Sequence, residues 1–120
     1  MSSSVAAMDD FAKQWDHWKR RPYPDAEYPP GSPAGEVARV DLALTTGDAA
    51  VVVDWFVSQE RVDPSEPTIK KHALAALQRV LPLLSESGRS YFEPLAEMLG
   101  AVDRARTAGD LVQSSDGLCR

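Results

Sequence analysis

Residues 63–108, DPSEPTIKKHALAALQRVLPLLSESGRSYFEPLAEMLGAVDRARTA, decide the fold. Asp63-Pro64-Ser65-Glu66 offers an N-cap, a first-turn proline and a glutamate placed to reach back, the chemistry of a helix start. Beyond it Ile69, Ala73, Leu77, Val80 and Leu84, flanked by Leu74 and Leu81, fall on one arc of a helix. Lys71, Gln78 and Arg79 fall opposite. This spacing predicts a helix over 65–87, kinked rather than ended at Pro82, which lies on the polar side. Gly88 reads as a stop, and Ser90 with Glu93 as a second capping box. They open a helix over 90–108 with Tyr91, Phe92, Leu95, Met98, Leu99 and Val102 inward.

Upstream, two further helices are predicted. The first spans 34–45, with Val37, Val40 and Leu44 as its core stripe and Leu42 on the opposite side. The second spans 48–60, where AAVVVDWFVSQE has only Asp54 and Ser58 as a clear polar sector and so belongs near the centre. Gly47-Asp48 separates them as a helix stop beside a helix start. An α+β alternative stays open: VARVDLAL alternates like a strand, and residues 37–57 then form a hairpin turning at Thr45–Asp48. The abundance of Ala, Leu, Glu and Arg in 36–44 favours helix.

The N-terminal part differs in kind. Residues 5–20 place Met8, Phe11, Ala12, Trp15 and Trp18 on one helical face, with acids early and bases late, as the helix dipole prefers. Residues 22–33, PYPDAEYPPGSP, hold five of the nine prolines and exclude helix or central strand. Two readings of this connector remain: a surface strap anchored by Tyr23 and Tyr28, or a plain spacer. The resulting organisation is an N-terminal helix and connector over 1–33, a helical domain over 34–109, and a flexible tail over 110–120. The fold class is all-α, with about five helices.

The 120 residues carry 13 Lys and Arg against 18 Asp and Glu, a net charge of −5. That balance opposes nucleic acid as a default partner and suits a basic protein partner. One cysteine, Cys119, makes neither an internal disulfide nor a zinc site. The N-terminus lacks the basic and apolar regions of a secretory signal, and no apolar run is long enough for a membrane span. The expectation is a cytoplasmic protein without membrane contact.

Leu42-Ala43, Gly47-Asp48, Val51-Val52 and Trp55-Phe56, with Val62-Asp63 where the chain turns back, resemble the helical hairpin of an ankyrin repeat over roughly 24 residues. The TPLH-type opening is missing, since Arg39-Val40-Asp41 stands there, and no second copy follows. The resemblance is read as a shared way of packing two antiparallel helices. Taken further, it implies protein binding.

Chemistry-bearing residues are sparse. His17 and His72 lack a Cys or His at ligand spacing and lack a nucleophile motif, so they read as surface histidines. Glu93 and Glu97 sit one turn apart on a solvated face. Lys19-Arg20-Arg21 and Lys70-Lys71 read as surface charge, and the glycines form no phosphate-binding loop. No catalytic residue, metal ligand or cofactor site is assigned. Asp54 is sharper, because it interrupts the apolar VVVDWFV run. It marks either the solvent sector of its helix or, with Trp55, a pocket. Asp41 poses the same choice.

The expected function is a non-enzymatic protein–protein interaction module of adaptor, inhibitor or immunity type; self-association is compatible with it. Met8, Phe11, Trp15 and Trp18, with Tyr23 and Tyr28, are the partner-binding candidates, because Trp, Tyr and Phe anchor interfaces. The same face is too apolar to stay wet, which predicts that it docks on its own domain in the free protein. Two alternatives stand: a small enzyme or ligand-binding protein with a pocket near Asp54 and Trp55, and a nucleic-acid accessory using Lys19-Arg20-Arg21.

Overall fold

The computed structural model describes the backbone of residues 2–58 and 63–118 and the side chains of residues 9–58 and 63–107. Among these the chain is mostly helical, with four α-helices and one two-stranded hairpin. Helix α1 is Ser2–Lys19, α2 Leu42–Ser58, α3 Glu66–Val80 and α4 Glu86–Leu118. Strands β1 (Glu36–Val37) and β2 (Val40–Asp41) pair antiparallel, Glu36 opposite Asp41 and Val37 opposite Val40.

The core gathers residues from α1 through α4. Trp15 and Trp18 of α1, Ala49, Val52 and Val53 of α2, Leu77 and Val80 of α3, and Phe92, Leu95 and Leu99 of α4 are all buried. The apolar face of α1 therefore docks on its own chain; Met8 lies outside the described side chains. The connector is a strap rather than a spacer. Its backbone turns where Tyr28 N–H donates to the Pro24 carbonyl at 2.9 Å, Tyr28 is buried, and Tyr23 packs partly against the core. Gly88 makes room for this strap, because a Cβ there would lie 2.8 Å from the Tyr28 hydroxyl.

The predicted helix over 34–45 does not form. Residues 36–41 make the hairpin instead, turning at Ala38 and Arg39, which both hold left-handed φ of 51° and 66°. The hairpin alternative is thus right in kind and displaced in position, since Thr45–Asp48 lies within α2. Helix α2 starts at Leu42 because Asp41 is its cap, Oδ1 accepting from Leu44 N–H at 3.0 Å. Its face is the reverse of the expected one: Leu42 is fully buried and Leu44 is 65% exposed. Gly47 neither stops a helix nor turns the chain, and the ankyrin-like hairpin is one continuous helix.

Three other boundaries move for local reasons. Asp63 accepts from Ser65 rather than capping α3 with Glu66 in return, and Glu66 is buried instead. Pro82 ends α3 at Val80, followed by a 3-10 turn over Leu81–Leu83, because its ring cannot sit against the carbonyl one turn back. Helix α4 begins at Glu86 rather than Ser90, capped by Ser85, whose Oγ accepts from Gly88 N–H at 3.1 Å. It runs on through 110–118, where a tail was expected, with no proline to stop it. With the helix over 34–45 replaced by the hairpin and the first residues of α2, the described residues hold four α-helices rather than five.

Pro94 stands inside α4 and has no N–H for the Ser90 carbonyl four residues back. Arg21 Nη1 donates to that carbonyl at 2.9 Å, and Trp18 Nε1 donates to the next one, Tyr91 O, at 2.9 Å.

Gly47 gives a direct test of this backbone. It is helical, and nothing lies within 4 Å of a Cβ built there. Gly47→Ala is expected to stabilise the protein by about 0.5–1 kcal/mol, read as a raised denaturation midpoint. A helix stop at Gly47 would give the opposite sign.

Candidate functional site

The N-terminal half of α2 runs beside the C-terminal half of α3, and the β1–β2 hairpin closes one end. Asp41, Leu44, Thr45 and Asp48 face His72, Ala75, Ala76 and Arg79 across a groove of about 430 Å³. Both sets follow the i, i+3, i+4, i+7 spacing of a single helix face. Val40, Thr45 and Ala73 are its buried lining. Arg39, Lys71, His72 and Arg79 stand exposed on its walls. No ion-pair partner lies near Arg39, Lys71 or Arg79 among the described residues. Among the described residues Leu44 is one of two large apolar side chains left exposed, the other being Leu83.

The left-handed turn at Ala38-Arg39 carries Arg39 onto the groove. Two successive residues with positive φ form the type I′ geometry that suits a two-residue hairpin. Asn and Gly are the usual occupants; Ala and Arg hold it at a cost of roughly 1–2 kcal/mol each. Sequence reading missed this site. The signal present was a VxxV pair around two residues with no turn chemistry, which helix propensity overrode.

The sequence-derived candidates gather elsewhere. Trp15 is 1% exposed, and its indole N–H donates to Asp54 Oδ1 at 2.7 Å. Lys19 Nζ lies 3.3 Å from the same oxygen. Trp15 and Trp18 stack at 5.3 Å, Trp18 leans on Tyr91, and Phe11 meets Phe56 edge-on. Tyr23 and Tyr28 both approach Phe92 edge-on. Asp54 thus takes the solvent-facing sector of α2 with one oxygen committed to α1. Neither Asp54 nor the half-buried Trp55 lines the groove. His17 and His72 are exposed and far apart in the chain, while Glu93 and Glu97 face solvent on α4. Cys119 lies outside the described residues.

A second feature was not foreseen. Glu66 is 1% exposed and accepts from Arg106 Nε at 3.3 Å, while Lys70 Nζ lies 4.0 Å from Glu66 and 3.3 Å from Asp103. Arg106 also covers the Phe56 ring at 5.2 Å. Glu66 Oε2 and Arg106 Nη2 are buried without a partner among the described residues. The cluster balances two acids with two bases and ties α3 to α4. Among the described residues no group of His, Cys, Asp and Glu is arranged to hold a metal, and no helix is long and apolar enough to cross a membrane.

Comparison with protein-family models, with curated proteins and with solved structures finds no match to this chain.

The Asp54 node separates charge from hydrogen bonding. Asp54→Asn keeps an acceptor for the Trp15 indole and loses only a half-exposed ion pair, so it is expected to cost less than about 1 kcal/mol. Asp54→Leu strands a buried indole N–H and is expected to cost about 1–3 kcal/mol in chemical denaturation.

Tyr23 makes a pH prediction. Its hydroxyl is buried without a hydrogen bond among the described residues, and burial, reinforced by the Asp41 carboxylate, pushes its pKa up to about 12. The neutral phenol is thus favoured in the fold. Its contribution is intact below the unfolded value near 10 and is lost as pH rises from about 10 to about 12. Tyr23→Phe is expected to match or exceed the native melting midpoint at about pH 8 and to lose less of it by about pH 11.

Proposed function

We propose that this chain is a non-enzymatic protein–protein interaction module and that the groove between the hairpin, α2 and α3 is its binding surface. One observation carries the reading: Leu44 is 65% exposed on a groove whose cations have no ion-pair partner among the described residues. An exposed leucine in a polar-rimmed groove is the arrangement that a partner's apolar side chain covers. Of the aromatic partner anchors expected from the sequence, Trp15, Trp18 and Tyr28 are buried in the fold, while Phe11 and Tyr23 are partly exposed.

Site-specific photo-crosslinking tests this. A benzophenone side chain placed at position 44 is expected to trap a discrete protein partner in cell extract, while the same probe at the equally exposed position 83 does not. Equal labelling at both positions, or none at 44 in a protein that melts like the native chain, would overturn the assignment of the groove.

A further inference from the structure

We infer that the groove takes a short acidic segment of a partner protein that carries one aliphatic side chain, an inference that rests on the groove being the binding surface. Three cations, Arg39, Lys71 and Arg79, face it against two carboxylates, Asp41 and Asp48. One of those carboxylates is already committed, since Asp41 caps α2 by accepting from Leu44 N–H. The groove is therefore locally cationic on a chain of net charge −5. The net negative charge of the chain disfavours an acidic partner elsewhere and makes this cleft the place where one fits.

The size of the groove sets the length of the segment. Its α2 wall runs from Asp41 to Leu44 and on to Asp48, two helical turns, or about 10 Å. That accommodates roughly three residues of extended chain. The lining of Val40, Thr45 and the small Ala73, Ala75 and Ala76 leaves space for one branched aliphatic side chain against Leu44. Carboxylates on either side of it then reach Arg39 at the hairpin end and Arg79 and Lys71 on α3. Arginine is suited to this task because its planar fork matches a carboxylate. Arg39 is also held there at a conformational cost, in a left-handed turn that glycine or asparagine would occupy more easily.

The test uses the full chain and four probes: acetyl-Asp-Glu-Leu-Glu-Asp-amide, its version with lysine for every acid, its version with serine for leucine, and pentathymidylate. Binding is followed by amide chemical-shift mapping and by calorimetry at low and physiological salt. The acidic leucine peptide is expected to shift Arg39, Leu44, Lys71, His72 and Arg79, and to weaken as salt rises. Arg79→Ala and Arg39→Gly are each expected to weaken it by roughly two- to fivefold. Arg39→Gly is expected at the same time to hold or raise the melting midpoint, a split between stability and binding that a purely structural Arg39 would not give.

Equal binding of the lysine or serine version, shifts lying outside the groove, or no binding of the acidic peptide would each overturn the inference. Tighter binding of pentathymidylate at the same residues would replace a protein carboxylate with a nucleic-acid phosphate, and would overturn it as well. The groove assignment is judged separately. A partner trapped at position 44 alongside failure of the acidic peptide keeps the surface and rejects this ligand chemistry, whereas failure of both rejects the surface.

Discussion

The fold turns on a proline that leaves a carbonyl empty. Pro94 sits within α4 and supplies no N–H to Ser90. In most helices that loss is repaired by water. Here Arg21 Nη1 fills the Ser90 carbonyl and Nη2 reaches Ser90 Oγ at 3.3 Å, while Trp18 donates to Tyr91 O. The end of α1 and the start of the strap are thereby fixed on α4 by directional bonds, not by apolar contact alone. Once Trp18 is set, stacking fixes Trp15, and the Trp15 indole then meets Asp54 on α2. Two side-chain bonds onto the α4 backbone, one of them at the carbonyl Pro94 leaves empty, thus set α1 against α4 and α2.

The other long-range tie has a different character. Arg106 with Glu66 and Asp103 with Lys70 join α4 to α3 through ion pairs whose α3 partners, Glu66 and Lys70, are buried. Such clusters are weak sources of stability, because desolvation consumes much of the attraction. Their geometric demand is nevertheless strict: a slip of one turn between α3 and α4 would part Arg106 from Glu66 and Asp103 from Lys70, leaving the buried Glu66 only Lys70 of its own helix, at 4.0 Å. Apolar core positions such as Leu77 and Leu99 tolerate small slips far better. The aromatic core provides the burial, and the ionic cluster selects the alignment of α3 and α4.

Much of this was legible in the sequence. The stripe from Ile69 to Leu84 and the one from Tyr91 to Val102 mark α3 and α4, and Phe11, Trp15 and Trp18 mark the docked face of α1. Punctuation was less legible. Gly47-Asp48 has the chemistry of a stop and a start, yet Asp41 had already capped the helix, and a glycine inside a well-packed helix costs only about 1 kcal/mol. Ser85 outranked Ser90 as a cap because Tyr28 packs beside Gly88 and also accepts from Ser85 N–H at 3.2 Å, a contact made across 57 residues. The groove was the least visible feature. Its lining comes from three elements, one of them a hairpin whose turn residues carry no turn signal, and the exposure of Leu44 follows only once Leu42 is known to point inward.

The same reversal explains why the groove lies apart from the packed core. In the expected register, Leu44 would have joined the core and Leu42 would have faced outward. Asp41 as cap fixes where α2 begins, at Leu42, and with each residue turning the helix by about 100° Leu42 and Leu44 fall on different faces. That phase buries Leu42, Ala49, Val52 and Val53 together and leaves Leu44, Asp48 and Thr45 facing α3's alanines. The hairpin must then deliver Asp41 from a strand, which requires the tight turn at Ala38-Arg39, and that turn in turn brings Arg39 over the groove. The capping bond, the strained turn, the buried leucine and the exposed one are consequences of one backbone choice, so the groove is a product of how α2 begins rather than an accident of surface composition.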